Sequence, residues 1–93
     1  MSVEIYVELT IINKLGLHAR AAAKLASTAG KYGCTIKTGP TTDKLVDAKS
    51  VMSLMLLAAS QGTVLHFHFD GADADKAHRD IEQLLINRFD EEQ

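Results

Sequence analysis

The amino-acid sequence predicts an α+β fold, an open-faced β-sandwich whose four-stranded antiparallel sheet is covered on one face by three helices. Residues 3–11 alternate between apolar and polar side chains, which is typical of a strand with one buried face. Residues 19–29 and 74–89 instead place apolar side chains at helical spacing. Shorter alternations complete the order β-α-β-β-α-β-α, which favours helices packed on one side of an antiparallel sheet.

The first strand and the first helix follow from these two periods. The strand places five apolar residues on one side and four more polar ones on the other: Val3, Ile5, Val7, Leu9 and Ile11 against Glu4, Tyr6, Glu8 and Thr10. Residues 13–16 interrupt the alternation. A stripe of small apolar side chains then starts near Ala19, and we expect Gly30 or Gly33 to end this helix.

The middle of the chain predicts a β-hairpin. Residues 34–37 and 45–48 alternate, and the Gly-Pro-Thr-Thr segment 39–42 between them is a turn signal. Cys34 is the single cysteine, so it cannot form an internal disulfide, and we expect it to be a small core residue in a reducing compartment.

The second half of the chain predicts a helix, a strand and a final helix. Ser50 stands at the N-cap position of a short, almost wholly apolar helix, and Gly62 closes that segment. Residues 64–69 alternate as a strand, and Asp73 and Asp75 supply negative charge at the start of the last helix. We expect residues 90–93 to be frayed. The buried stripe of the last helix is predicted to comprise Ala74, Ala77, Ile81, Leu84, Leu85 and Phe89, with His78 half-buried at its edge.

Composition and charge exclude several classes of protein. The 93 residues, 46% of them hydrophobic, suit one compact domain spanning 1–93. The net charge of -2, without a basic cluster, argues against nucleic acid as a partner. The longest apolar stretch, 51–59, is far shorter than the roughly 20 residues of a membrane span. We therefore expect a cytoplasmic monomer without membrane insertion.

His18 and Arg20 are the candidate functional residues because they lie where the first helix begins. Backbone N–H groups at a helix start have no intrahelical acceptor, so an anion is favoured there. A neutral imidazole is a nucleophile near pH 7, and Arg20 could donate to a phosphoryl group attached to His18. No second catalytic group is evident nearby, and the pattern alone leaves open whether His18 is a phosphoryl site or only a polar loop residue.

The segment 13–26 resembles the active-site segment of the HPr family, the histidine-containing phosphocarriers of the bacterial phosphoenolpyruvate-dependent phosphotransferase system. Residues 16–20, Gly-Leu-His-Ala-Arg, match the family pattern. Residues 48–52 are similar to its regulatory serine signature. The resemblance implies that His18 accepts a phosphoryl group from Enzyme I on Nδ1 and donates it to an Enzyme IIA-type acceptor, with Arg20 attending the phosphohistidine. It implies no cofactor and no metal.

The same resemblance implies that Ser50 matches the serine that an HPr kinase/phosphorylase modifies in some bacteria. One departure is visible, since Ala21 stands where the family usually has proline. Alanine leaves one more N–H near the anion, and we expect the carrier to work with it.

The helix after Ser50 carries more apolar residues than one sheet can cover. We therefore predict an exposed apolar surface that docks partner proteins. The residues assigned to it are Leu17, Val51, Met52, Leu54 and Met55.

Other functions stay open at this stage. A regulatory HPr-like protein would act mainly by binding target proteins, in nitrogen-related or catabolite control, and the sequence does not separate the sugar branch from the NPr-like nitrogen branch. His66 and His68 share one face of the last strand and suggest a metal site, but pairing with Glu4 and Glu8 across strands is the ordinary interpretation.

Overall fold

A computed structural model describes residues 3–93 and shows the predicted order of elements. Its elements are β1 (Glu4–Thr10), α1 (Ala19–Ala29), β2 (Thr35–Gly39), β3 (Val46–Asp47), α2 (Val51–Leu56), β4 (Val64–Asp70) and α3 (Ala74–Ile86), followed by a short 3₁₀ turn (Arg88–Asp90). Gly30 is the C-cap of α1. Of the two glycines predicted to end this helix, Gly30 and Gly33, it is therefore the first that does so. Among residues 3–93, none of the helices combines the length and hydrophobicity needed to cross a bilayer.

The four strands form one antiparallel sheet in the order β1-β4-β2-β3. Phe69 of β4 lies opposite Ile5 of β1 and Ile36 of β2. Strand β4 therefore lies between β1 and β2 and pairs with both. Lys37 and Asp47 pair in the predicted hairpin. The open-faced α+β sandwich predicted from the sequence is therefore confirmed.

The core lies between the helices and one face of the sheet. Phe67 and Phe69 stack in its centre with ring centroids 5.9 Å apart. Leu25 of α1 and Ile81 of α3 are fully buried in the same core cluster. Cys34 is buried in the same cluster, as expected. The alternate side chains of β1 are exposed, which gives the sheet its open face.

The end of α2 differs from the prediction, and the start of α3 shows a contact that the sequence did not predict. Helix α2 ends at Leu56 rather than continuing to Gly62, because Ala58 adopts a left-handed conformation with φ of 51°. Asp73 stands before α3 without capping it through its side chain. Its carboxylate instead accepts hydrogen bonds from the backbone N–H groups of Gly33 and Cys34, both at 2.9 Å. This carboxylate therefore joins the start of α3 to the end of the α1–β2 connection.

The C-terminal segment was predicted wrongly. Helix α3 stops at Ile86, so Phe89 reaches the core from the 3₁₀ turn and not from the helix. The predicted fraying of residues 90–93 is also wrong, since the Lys14 backbone N–H donates to the carbonyl of Gln93 at 2.8 Å. The tail is held against the opposite end of the chain because its backbone and side chains find partners there.

Candidate functional site

The loop of residues 13–18, which we call the His18 loop, is fixed from inside the protein. Asn13 is fully buried, and its Nδ2 donates to the carbonyl of Gly16 at 2.8 Å. The Leu17 N–H donates to the carbonyl of Ala59 at 2.8 Å. The loop is thereby attached to the segment that follows α2, so His18 and α2 lie at the same end of the molecule.

His18 is the N-cap residue of α1, with extended backbone angles. Its carbonyl accepts the first helical hydrogen bond, from the Ala22 N–H at 2.8 Å, while its imidazole makes no capping bond. The N–H groups of residues 19–21 therefore face the start of the helix without an intrahelical acceptor. The His18 side chain is 28% exposed, so the ring is held in place and also accessible.

The structure brings Glu91 to His18, which corrects the expectation that no second ionisable group accompanies the imidazole. One carboxylate oxygen of Glu91 is hydrogen-bonded to His18 Nε2. The other accepts from Asn13 Nδ2 at 3.0 Å. Glu91 lies 73 residues from His18 in sequence, and nothing in an acidic tail signals such a contact.

The environment of Glu91 favours its ionised form. Burial by itself raises the pKa of this carboxyl, but the hydrogen bonds from His18 and Asn13 and the charges of His18 and Arg20 outweigh burial, so the pKa is lowered from its ordinary value. Glu91 is therefore a hydrogen-bond acceptor at neutral pH.

The tail that carries Glu91 is anchored to helix α1. Lys24 Nζ donates to the carbonyl of Phe89 at 2.8 Å and lies 3.5 Å from the carboxylate of Asp90. The Phe89 side chain is fully buried. These contacts give Glu91 a defined position beside the ring.

His18 opens into a cleft of about 640 Å³, with Lys14, Leu15 and Arg20 among its lining residues. Within residues 3–93, the guanidinium of Arg20 forms no ion pair with an acidic side chain. Two cationic side chains and the N–H groups of the helix start border space next to the imidazole and favour an anionic group there. The carboxylates of Glu91 and Glu92 line the same cleft, and that of Glu91 is already bonded to His18 Nε2 and Asn13 Nδ2.

Ser50 caps α2, as predicted. Its side-chain oxygen accepts a hydrogen bond from the Ser53 N–H at 3.2 Å. Such a cap stabilises a short helix by about 1 kcal/mol. The hydroxyl therefore has a structural role in addition to any modification.

The predicted docking residues divide into two groups. Leu17 and Leu54 are 4% and 0% exposed, so their assignment to an exposed surface is wrong. Leu54 points into the core from α2, and the side chain of Leu17, within the His18 loop, is buried in the same core cluster. The exposed apolar residues of α2 form what we call the apolar patch: Val51, Met52, Met55 and Leu56. Leu15 in the His18 loop is exposed as well.

The histidines of β4 occupy ordinary cross-strand pairs. His66 lies 3.7 Å from Glu8, and His68 lies 3.2 Å from Glu4 and stacks on Tyr6. A different trio, Glu4, His68 and Asp70, places one possible ligand atom each within 4.8 Å of the others. Lys37 stands opposite His68 on β2, which brings a positive charge to the same face of the sheet.

Comparison with known proteins gives one consistent result. The family described as PTS HPr component phosphorylation site matches residues 5–87. The phosphocarrier protein HPr of Pseudomonas aeruginosa is 52% identical over 85 residues, which are 91% of this chain and 94% of that protein. The corresponding protein of Xylella fastidiosa strain Temecula1 is 51% identical over 85 residues, with the same coverage of both chains.

Solved structures agree with the sequence relatives. The crystal structure of HPr-C-His from Thermoanaerobacter tengcongensis superposes with a TM-score of 0.88 at 38% identity, covering 96% of this chain and 99% of that one. Fold, site and relatives together define a phosphocarrier of the phosphotransferase system. The chain belongs to the HPr family.

Proposed function

We propose that His18 takes a phosphoryl group from phosphorylated Enzyme I on Nδ1 and passes it to an Enzyme IIA-type acceptor. The observation that carries this proposal is the location of the imidazole, which is partly exposed at the start of α1 and beside Arg20 and Lys14. The unpaired N–H groups of residues 19–21 and the positive helix end would bind the phosphoryl oxygens.

Arg20 would stabilise the transferred group through its planar donors. Its guanidinium is exposed and, in the part of the chain that the structure describes, has no acidic partner to compete with a phosphoryl oxygen. A charge-assisted hydrogen bond to phosphate is stronger than a neutral one. The arginine would act on both transfers, since the same phosphohistidine is the product of the first and the reactant of the second.

The apolar patch would dock Enzyme I and the IIA acceptor. Met52 and Leu56 are 75% and 84% exposed, which is unusual for large apolar side chains. Methionine adapts to surfaces of different shape. The patch lies at the same end of the molecule as His18, because Leu17 is bonded to the segment after α2.

Phosphorylation of Ser50 by an HPr kinase/phosphorylase would regulate docking. The residue is partly exposed at the start of α2, directly before the apolar patch. A phosphate there carries nearly two negative charges and would oppose an apolar or acidic partner surface, while the helix start tolerates the charge. A protein acting only through such binding is the alternative function, and it would not need an accessible His18.

The remaining parts of the proposal concern the protein as a whole. Residues 1–93 form one domain, the protein is a cytoplasmic monomer, and its transfer chain serves sugar transport or the nitrogen-related branch. The similarity to HPr proteins of known sequence supports this setting.

The experiment is phosphorylation with phosphoenolpyruvate and Enzyme I. We expect one acid-labile phosphate on the wild-type protein and none on His18→Ala, while His66→Ala, on the open face of the sheet, is labelled like the wild type. Mass spectrometry after incubation with HPr kinase and ATP tests Ser50 separately. Labelling of His18→Ala to the wild-type level would disprove the carrier proposal.

A further inference from the structure

The contact between Glu91 and His18 points to a role for Glu91 in phosphoryl transfer, and this role rests on the proposed carrier function of His18. Glu91 is 14% exposed, well below the exposure of its neighbour Asp90 at 66%. Its two carboxylate oxygens have different partners, His18 Nε2 and Asn13 Nδ2. The carboxylate thus joins the ring to the interior of the His18 loop.

The hydrogen bonds of Asn13 determine which atoms donate and which accept around Glu91. Its amide is buried between two acceptors, the carbonyl of Gly16 at 2.8 Å and the carboxylate of Glu91 at 3.0 Å. Both need a donor, so the NH₂ group of Asn13 must face them. An ionised carboxylate can only accept, and the ring nitrogen on its other side must therefore carry a proton.

The backbone that delivers Glu91 is strained. Arg88, Phe89 and Asp90 have φ of 55°, 54° and 65°, and none of them is glycine. Each left-handed residue costs about 1–2 kcal/mol. The buried Phe89 ring and the bond from Lys24 hold the turn in place. Strain of this kind is concentrated at functional sites, and here it turns the tail back towards His18.

We propose that Glu91 is a positioning residue for phosphoryl transfer: it keeps the proton on His18 Nε2 and so leaves the lone pair of Nδ1 free to attack. The carboxylate would also stabilise the positive charge that the ring acquires when Nδ1 is phosphorylated. It acts through the imidazole and does not touch the phosphoryl group.

Both transfer steps balance in atoms and electrons while His18 Nε2 keeps its proton. In the first step the Nδ1 lone pair forms a bond to phosphorus, and the bond from phosphorus to the donor atom of phosphorylated Enzyme I breaks with its electron pair returning to that atom. The His18 ring then carries a phosphoryl group and a proton, and its positive charge faces Glu91. In the second step the acceptor attacks phosphorus and the electron pair returns to Nδ1. His18 leaves as neutral imidazole, a far better leaving group than an imidazolate.

The substitution Glu91→Gln tests this proposal because an amide cannot replace both acceptors. If its oxygen accepts from Asn13, its NH₂ group faces His18 Nε2 and favours a proton on Nδ1 instead. Asp90→Asn is the matched control, since it removes one charge from the same tail at an exposed side chain, while the Lys24 bond to the Phe89 carbonyl and the buried Phe89 ring still hold the turn. Asparagine also tolerates the left-handed backbone at that position.

The first two measurements use the free protein and need no Enzyme I. Nitrogen-resolved NMR of the His18 ring should show Nε2–H, protected from exchange, in the wild type and in Asp90→Asn, and lose that signal in Glu91→Gln. Labelling with phosphoramidate should place phosphate on Nδ1 in the first two proteins and on both nitrogens in Glu91→Gln.

The third measurement is the rate of phosphoryl uptake from phosphorylated Enzyme I. Glu91→Gln should lower the maximal rate by about ten- to a hundredfold, the range found for residues that orient metal-bound histidines. KM should change less than about twofold because the apolar patch is intact. An unchanged ring signal, or an unchanged rate in Glu91→Gln, would overturn the role of Glu91. Failure of Enzyme I to label the wild type would overturn the proposed function instead, and the two outcomes are distinct.

Discussion

Gly16 and Ala59 are in backbone contact, and a β-carbon on Gly16 would lie 2.5 Å from the carbonyl oxygen of Ala59. The backbone of Gly16 is left-handed, with φ of +68°. Both features require glycine at this position, since the neighbouring atoms are backbone and cannot swing away. This contact lies next to the Leu17 bond to Ala59 that attaches the His18 loop to the rest of the protein.

The first prediction is that Gly16→Ala lowers the free energy of unfolding by about 3 kcal/mol, through backbone strain and overlap together. Gly62→Ala is the control, because Gly62 also has a positive φ, +91°, but an added β-carbon there meets nothing within 4 Å. It should cost about 1 kcal/mol. Urea unfolding measures both, and equal losses would show that the contact with Ala59 is unimportant.

The second prediction separates docking from stability on α2. Met52→Glu changes an exposed side chain, so it should alter the free energy of unfolding by less than about 0.5 kcal/mol while weakening Enzyme I binding about tenfold. Leu54→Ala removes a fully buried side chain and should cost about 3 kcal/mol. Titration calorimetry and thermal unfolding distinguish the two effects. If Met52→Glu bound Enzyme I with the wild-type affinity, the apolar patch would be excluded as the docking surface.

The third prediction concerns the two roles of Ser50. Ser50→Ala removes the bond to the Ser53 N–H and should lower stability by about 1 kcal/mol. Ser50→Asp keeps a capping oxygen, so its stability should stay within about 0.5 kcal/mol of the wild type. Its added charge beside the apolar patch should nevertheless weaken Enzyme I binding about tenfold. If Ser50→Asp bound Enzyme I as tightly as the wild type, negative charge at residue 50 would not regulate docking, and Ser50 would act only as a helix cap.

The fourth prediction is a loss of stability at alkaline pH. The hydrogen bond to Asp80, with burial, raises the pKa of Tyr32 from 10.0 to about 12. Between pH 10 and 12 the folded protein keeps this proton and the unfolded chain has lost it, so stability falls as pH rises. Below pH 10 the Tyr32–Asp80 hydrogen bond contributes fully to the free energy of unfolding.

Tyr32→Phe provides the comparison for this effect. Burial also raises the pKa of Cys34, from 9.0 to about 11. That contribution is present in both proteins, and their difference keeps only the weak charge interaction between Cys34 and Tyr32, which is the last-named cause of the raised Tyr32 pKa. The stability difference between wild type and Tyr32→Phe should therefore shrink from pH 10 to pH 12. Urea unfolding across this range measures it, and a constant difference would contradict the assignment.

The features that sequence predicted well depend on neighbouring residues. The alternation of β1, the Ser50 cap and the location of His18 before α1 are all local patterns. The shared face of His66, His68, Glu4 and Glu8 also followed, because a period of two fixes which residues share a face. Glu8 lies opposite His66 as predicted, but His68 lies opposite Tyr6 and meets Glu4 diagonally. The fold was accessible from these patterns, whereas the family came from the resemblance of residues 16–20 and 48–52 to HPr.

The features that sequence missed depend on distant contacts. A short helix that is apolar nearly all round has no period to show that Leu54 is buried and Met52 exposed. The turn at residues 88–90 uses left-handed angles without glycine, so no residue type announces it. The position of Glu91 follows from that turn, and tertiary contacts alone could reveal it.

The last prediction concerns Ala21, where the family usually has proline. Ala21 is fully buried in the first turn of α1, and its N–H needs no intrahelical acceptor. Proline fits this turn, so Ala21→Pro should cost at most about 2 kcal/mol for the added ring atoms. Phosphoryl uptake should change less than about tenfold, because two other N–H groups and Arg20 remain to bind the anion. Ala23→Pro is the control, since it lies one turn inside the helix and should cost about 3 kcal/mol. If Ala21→Pro instead raised the uptake rate by orders of magnitude, the His18 loop of the wild type would not be pre-formed, and the binding role assigned to the helix start would have to be abandoned.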